Sequence, residues 1–410
     1  MYRKISIFGI ILLMIGAAWL MPVGAADKSH ADENNNTNNS VGAIVVFNDV
    51  PTNGDVEHLK GLGAVVKYSY NKVVHGAAID MSQKNIDKVN KACKGKTPDI
   101  AICQNIKYIE KDGLVYASAR SKPVPTAQPI QWGVDRVNAP SAWATSRGTG
   151  VKVAVVDTGI DTTHPDLAAN IKGGVSFVAR VSSYKDDNGH GTHVAGIIAA
   201  INNTIGVVGV APNAQLYSVK VLDRTGSGTV SSVIAGIDWS AKNGMQVISM
   251  SLGTNTDFQS LHDAVDRAYS QGVVVVAAAG NDYGGPISYP AAYDNVIAVT
   301  ATDSNNKIAS FSNIGPQAEI AAPGVNIYST YKGGGYATLS GTSMSTPFVS
   351  GEVADVLATK INSVYDINHN GRWDPVEVRN KLHNKSTDLG YTGFDIKYGY
   401  GLANVYAAVN

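Results

Sequence analysis

The pattern of apolar and polar positions changes several times along the chain. After Met1-Tyr2-Arg3-Lys4 the residues are apolar from Ile5 to Leu20, and small residues follow at Pro22-Val23-Gly24-Ala25-Ala26. A charged, a greasy and a small-residue zone in that order predict a secretory signal peptide over residues 1–25, cut near Ala25. The greasy run is shorter than the ~20 residues that a membrane span needs, so no membrane is expected to hold the mature form, which should be secreted. Asp27–Ser40, "DKSHADENNNTNNS", is polar and low in complexity, and residues 26–42 read as a linker. From residue 43 to 117 short apolar runs "AIVVF", "AVVKYSY", "GAAIDM" and "IKYIEKD" alternate with helical stretches near Val56–Leu62 and Ser82–Lys91. That βαββαβ order predicts a small ferredoxin-like α+β domain with two helices on one face. Residues 118–131 fall in "ASARSKPVPTAQPIQ", whose prolines and lack of periodicity predict an extended linker open to proteolysis.

Beyond residue 132 the apolar runs are continuous rather than alternating: Val151–Asp157, Leu216–Leu222, Val247–Leu252 and Val273–Ala279, with helical patterns at Val230–Lys242 and Leu261–Gln271. Strands apolar on both faces belong to a parallel sheet covered by helices, so residues 132–410 are expected to form a doubly wound α/β domain. Ligands of such sheets gather outside the carboxyl ends of the strands, and Asp157, Ser251 and Asn281 lie at or just past such ends.

Charge adds an exclusion. Lys+Arg and Asp+Glu balance at 33 each, which gives no basic field for nucleic acid. The two cysteines, Cys93 and Cys103, sit close together in an exported chain and predict a local disulfide. The α/β domain has no cysteine and must be stabilised otherwise.

Three segments carry candidate chemistry. Asp157 in "VAVVDTGID" closes a buried strand, either capping the next turn or meeting a partner. In "DDNGHGTHVAGIIAA", His190 and His193 stand three apart at a helix start, a spacing open to metal, although no third ligand supports it. Asp186–Asn188 reads as a solvated turn. "GTSMSTP", Gly341–Pro347, offers hydroxyls suited to helix capping, with Pro tolerated in a first turn, but one of them could equally be a nucleophile.

Taken in order, "VVDTGID", "HGTHVAG" and "GTSMSTP" resemble the motifs of the subtilisin family of serine proteases over Gln128 to about Asn410. The resemblance implies that Asp157 orients His190, that His190 is the general base and then acid, and that Ser343 is the nucleophile of an acyl-enzyme mechanism. His193 falls on a structural histidine, and Thr342, Ser345 and Thr346 are left to caps and packing. Asn281 in "AAAGNDYGG" matches the asparagine of the oxyanion hole. Ser251, Leu252 and Gly253 resemble the strand that pairs with substrate backbone, and Ala278, Gly280 and Ser288 line the pocket beside it. Small lining residues imply broad cleavage after large uncharged side chains. The α+β domain resembles an inhibitory propeptide, which implies a self-processed zymogen cut between Ala117 and Gln128. A monomer acting on protein or peptide substrates is expected. Two rivals are an inactive relative that binds peptides or calcium, and a nucleotide binder, whose phosphate loop "VVDTGID" lacks.

Calcium has two signals. The loop "INNTIGV" resembles the family's calcium loop, with the Asn203 side chain and the carbonyls of Ile201, Ile205 and Val207 as ligands, joined by Gln128 and Asp166. Separately, Asp366, Asn368, Asn370, Arg372, Asp374 and Glu377 fit the spacing of an EF-hand-type loop, with Gly371 at its sharp turn.

Overall fold

The computed structural model describes residues 40–93, 103, 105–117 and 128–410. The expected signal peptide, most of the first linker and the stretch 118–127 lie outside the described residues.

The N-terminal unit comprises β1 (Ser40–Phe47), α1 (Asn53–Gly61), β2 (Val65–Tyr70), β3 (Gly76–Ser82), α2 (Gln83–Cys93) and β4 (Ile106–Lys111). Its antiparallel sheet has the order β2-β3-β1-β4, the split arrangement expected of βαββαβ. β1 opens at Ser40, inside the stretch expected as linker, because Ser40–Gly42 continue the ladder against Ser82–Asp80. Strand alternation divides the apolar residues between two faces. Ala43, Val45 and Phe47 pack with Leu59, Ile79 and Ile86 under the two helices. Ile44 and Val46, with Tyr70 and Ala78, enter a core shared with the larger unit. A disulfide joins Cys93 to Cys103. A last strand, β5 (Leu114–Ala117), leaves this sheet altogether.

The larger unit starts with α3 (Trp132–Arg136) and α4 (Ala139–Ala142) and then β6 (Lys152–Asp157), β7 (Ile171–Ser176), α5 (His190–Ala199), β8 (Gln215–Lys220), β9 (Ser227–Thr229) and α6 (Val230–Lys242). It continues with β10 (Val247–Met250), β11 (Leu252–Gly253), α7 (Gln259–Ser270), β12 (Val274–Ala278), β13 (Ile297–Thr302), β14 (Ile320–Pro323) and the hairpin β15 (Ile327–Tyr331) and β16 (Gly335–Leu339). Helices α8 (Thr342–Leu357), α9 (Pro375–Lys385) and α10 (Val405–Val409) complete it. Seven strands form one parallel sheet in the order β14-β13-β12-β10-β6-β8-β7. The continuous apolar runs become its central strands, buried on both faces, as in "VVVAA" of β12. One core holds the residues of α5, α8 and α10, and the other those of α6 and α7. Strand order turns around at β6, whose neighbours β8 and β10 continue in opposite directions, and Asp157 ends that strand.

Candidate active site

Asp157 and His190 come together from β6 and from the first residue of α5. His190 Nδ1 lies 2.7 Å from Asp157 Oδ1, which also accepts the Thr158 N–H at 2.6 Å. The turn-capping and paired roles considered for Asp157 are thus both filled by one oxygen. A carboxylate accepts only, so Nδ1 carries the proton and Nε2 is left as a lone pair. Nε2 is buried without a hydrogen-bond partner among the described residues. Burial lowers the imidazole pKa, but the charge and hydrogen bond of Asp157, with a smaller push from Asp186, leave it raised above its ordinary value. The close approach of α5 requires Gly191, since a Cβ there would meet the Gly159 carbonyl at 2.1 Å.

Ser343 is the second residue of α8 and fully buried. Its hydroxyl donates to the Ser251 carbonyl at 3.2 Å, and no hydrogen bond joins it to His190. In return the Ser251 hydroxyl donates to the Ser343 carbonyl at 2.8 Å. The cause is Pro347, which lies in the second turn of α8 rather than the expected first: it has no N–H for the carbonyl four residues back. Ser251 takes the place of that missing donor. The N-terminal residue of α8 also departs from expectation, because its cap Gly341 makes no side-chain bond and Thr342 is no cap. Instead Thr342 donates its N–H and hydroxyl to Asn281 Oδ1 at 2.9 and 3.0 Å. With its oxygen so engaged, the Asn281 amide has its NH2 group free to donate elsewhere.

A cavity of about 390 Å³ opens beside these residues, lined by Leu252, Gly253, Ala278, Gly280, Asn281 and Ser288, with Thr342, Thr254 and Asn255 as lining residues not foreseen. Ser251 is not part of this lining. Gly280 has φ +106°, and a Cβ on it would strike Ser288 Oγ and Asn313 Nδ2, both at 2.4 Å. β5 lies antiparallel between β11 and β9, with Ala117 opposite Leu252, Tyr116 opposite Gly253 and Ser227, and Leu114 opposite Thr229.

His193, fully buried, places Nε2 3.1 Å from the carbonyls of both Ile327 and Ala337. Burial, then the neighbouring His190 charge, lower its pKa to about 3, so the ring is neutral. Nε2–H spends itself on the two carbonyls while Asp157 holds His190, which removes the metal reading of this pair. Asp186 departs from the expected solvated turn, being buried among N–H and O–H donors. The surplus of donors around "HGT" was the signal, but nothing in the spacing showed that they face Asp186.

Around "INNTIGV", one amide nitrogen of Gln128 lies 2.8 Å from the Ile201 carbonyl and 3.0 Å from that of Val207. Gln128 Oε1 accepts the Asn203 N–H, and the Asn203 amide reaches Asp166 Oδ1 at 2.8 Å. In the second loop the amides of Asn368 and Asn370 reach Asp374 Oδ2 at 2.5 and 2.8 Å, and Asp366 accepts the N–H groups of Asn370 and Gly371. Asp374 is the N-cap of α9, and Glu377 in the first turn accepts the N–H groups of Asp374 and Ile367. Among the described residues no three His, Cys, Asp or Glu side chains are grouped to hold a metal, and both loops rely on amides and carbonyls as well.

Residues 148–401 match the model of the Subtilase family. An alkaline protease of Alkalihalobacillus alcalophilus is 52% identical over 304 residues, 74% of each chain. Subtilisin Savinase of Lederbergia lenta is 53% identical over 283 residues, 69% of this chain and 99% of its own. Subtilisin E of Bacillus subtilis (strain 168) is 43% identical over 343 residues, 82% of this chain and 81% of its own. A parallel sheet with Asp157 at a strand end beside the His190 imidazole, together with identity on this scale, means that the chain belongs to the subtilase family and is a serine endopeptidase.

Proposed function

We propose that this endopeptidase is made as a secreted precursor that cuts itself, and that its chemistry runs through Asp157, His190 and Ser343 with Asn281 in the oxyanion hole. The observation that supports the reading best is β5: a segment of the chain's own lies antiparallel on β11 and β9 as an extended peptide substrate would, beside Ser343. For reaction the Ser343 hydroxyl turns from the Ser251 carbonyl to His190 Nε2, whose lone pair takes its proton; such bonds often form only in the reacting complex. Asp157 keeps the ring in the tautomer that leaves Nε2 basic and stabilises the imidazolium that forms. The developing oxyanion meets the Asn281 amide and the Ser343 N–H at the head of α8, where the helix dipole adds to its stabilisation. The domain division follows: residues 1–25 signal, 26–42 linker, 43–117 inhibitory propeptide, 118–131 processing linker and 132–410 peptidase. The cut is expected past the end of β5, between Ala117 and Gln128. The open pocket of small residues favours broad specificity on proteins and peptides by a monomer.

Calcium fits both loops by donor chemistry, hard oxygens from amide, carboxylate and carbonyl groups. Gln128, Asp166, Asn203, Ile201, Ile205 and Val207 would hold one ion, and Asp366, Asn368, Asn370, Arg372, Asp374 and Glu377 another. When bound, it would cross-link loops that have no disulfide.

Ser343→Ala tests the reading. The secreted variant should stay at full precursor mass, whereas the wild type should give a product whose N-terminus lies between Ser118 and Gln128; a normally trimmed variant would refute self-processing.

A further inference from the structure

Asp186 touches neither the cavity nor Ser343, yet it is 6% exposed and its carboxylate accepts five hydrogen bonds. Oδ1 accepts the Thr158 hydroxyl at 2.9 Å, the Asn188 N–H at 2.9 Å and the Gly189 N–H at 2.8 Å. Oδ2 accepts the N–H and the hydroxyl of Thr192 at 3.0 and 2.6 Å. Thr158 follows Asp157, Gly189 precedes His190, and Thr192 lies two residues beyond it. The Thr158 oxygen that donates to Asp186 also accepts the Gly191 N–H at 2.9 Å. One buried carboxylate therefore ties the end of β6 to the first turn of α5 from both sides of the imidazole.

We infer that Asp186 is a positioning residue of the peptidase reaction, holding Asp157 and His190 at their 2.7 Å separation through Thr158, Gly189 and Thr192. The inference rests on the triad reading above. A merely structural tie would secure the loop and nothing more. This one also leaves a negative charge close to the ring that must become an imidazolium, and charge at that distance is weakly screened in a buried site. The other titratable groups around the ring are Asp157 at the end of β6, His193 on α5, and Tyr331 on β15, whose ring backs Gly189. Lys220 on β8 donates to the Thr158 carbonyl and to Asp187, and Lys332 to the Asp187 carbonyl. None of these changes when Asp186 is replaced.

The test is steady-state cleavage of a chromogenic peptide by wild type, Asp186→Asn and Thr158→Val across pH. Asn presents an NH2 group to donors and loses the charge. In Asp186→Asn, kcat should fall by about 10- to 100-fold with KM within about twofold, because misplacement of a catalytic group acts on the reacting geometry. The acid limb of kcat/KM should move to lower pH, since His190 loses a charge that favours its protonated form. Thr158→Val keeps the charge and removes the tether, so kcat should fall while the limb stays. It also serves if Asp186→Asn does not accumulate. A kcat within twofold of wild type in Thr158→Val, or an unmoved acid limb in an active Asp186→Asn, would overturn the inference. A wild-type chain inert toward every peptide would instead remove the triad reading beneath it.

Discussion

At the scale of single residues the site is organised by substitutes for missing partners. Pro347 removes an N–H from α8, and Ser251 supplies a hydroxyl to the carbonyl left open on Ser343. That bond fastens the turn bearing Ser343 to the residue just before β11. Ser251→Ala would leave a fully buried carbonyl without this donor, at a cost of about 1–3 kcal/mol. The variant should unfold at lower denaturant concentration and also show a reduced kcat, because Ser343, the proposed nucleophile, loses the bond that ties its turn to the residue before β11. Unchanged values of both would mean that the carbonyl finds another donor. The motifs singled out Ser343, His190 and Asp157 in the sequence, and of the three the structure joins His190 to Asp157 by a hydrogen bond. Thr342 and Asp186 were not legible in the same way. Their partners, Asn281 and Thr158, are 61 and 28 positions away, and hydroxyls and carboxylates of their kind are usually spent on caps and turns.

At the scale of elements, continuous apolarity marked four of the seven parallel strands, β6, β8, β10 and β12, to within a few residues, because burial on both faces favours apolar side chains; β7, β13 and β14 were not marked. What it could not show is the cost hidden inside α8, a helix buried along almost its whole length. Glu352 and Asp355 lie in it at 1% and 0% exposure, and each has one carboxyl oxygen without a hydrogen-bond partner. Burial raises both pKa values to about 8, against ordinary values of 4.5 and 3.8; Asn404 and Ser146 oppose the rise only in part. Raised values mean that folding favours the protonated acids. Their contribution to stability is full below about pH 4, declines as the unfolded chain ionises, and is gone once pH passes about 8. Glu352→Gln in the Ser343→Ala background should therefore match the parent Tm near pH 4 and exceed it at pH 9. Parallel Tm curves over that range would show that Glu352 is ionised in the folded chain. The two loops proposed for calcium belong to the same scale: α9 begins at the end of one, and in the other Gln128 bonds to Ile201 just past α5 while Asn203 bonds to Asp166 in the turns before β7. Excess chelator should lower the Tm of the mature enzyme, since an ion bound only by the native state stabilises it. A Tm indifferent to chelator would remove calcium from both loops.

At the scale of the whole molecule the small unit completes the large one. Ile44, Val46, Tyr70 and Ala78 fill part of the core that contains α6 and α7, and two carboxylates from the end of the small sheet sit at the N-termini of those helices. Asp112 accepts the Ser231 N–H at 2.9 Å and the Ser231 hydroxyl, and Glu110 accepts the Ser260 N–H at 2.7 Å. The need is clearest at α7, whose own N-cap residue is Phe258 and makes no side-chain bond. Anions at helix N-termini complement the dipole as well as the open N–H groups, so these contacts join two units that a cut after β5 would leave as separate chains. Hydrogen bonds of this charged kind contribute about 1.5–3 kcal/mol each, which corresponds to roughly 10- to 100-fold in affinity. If the small unit inhibits by lying in the cleft, then Glu110→Ala and Asp112→Ala should each shorten the lag between self-cleavage and the appearance of activity toward added peptide, and the double variant should shorten it more. The lag is measured by following precursor mass and peptide hydrolysis in one sample. Equal lags in wild type and double variant would mean that release is governed by the shared apolar core alone, and that the two carboxylates cap the helices without holding the units together.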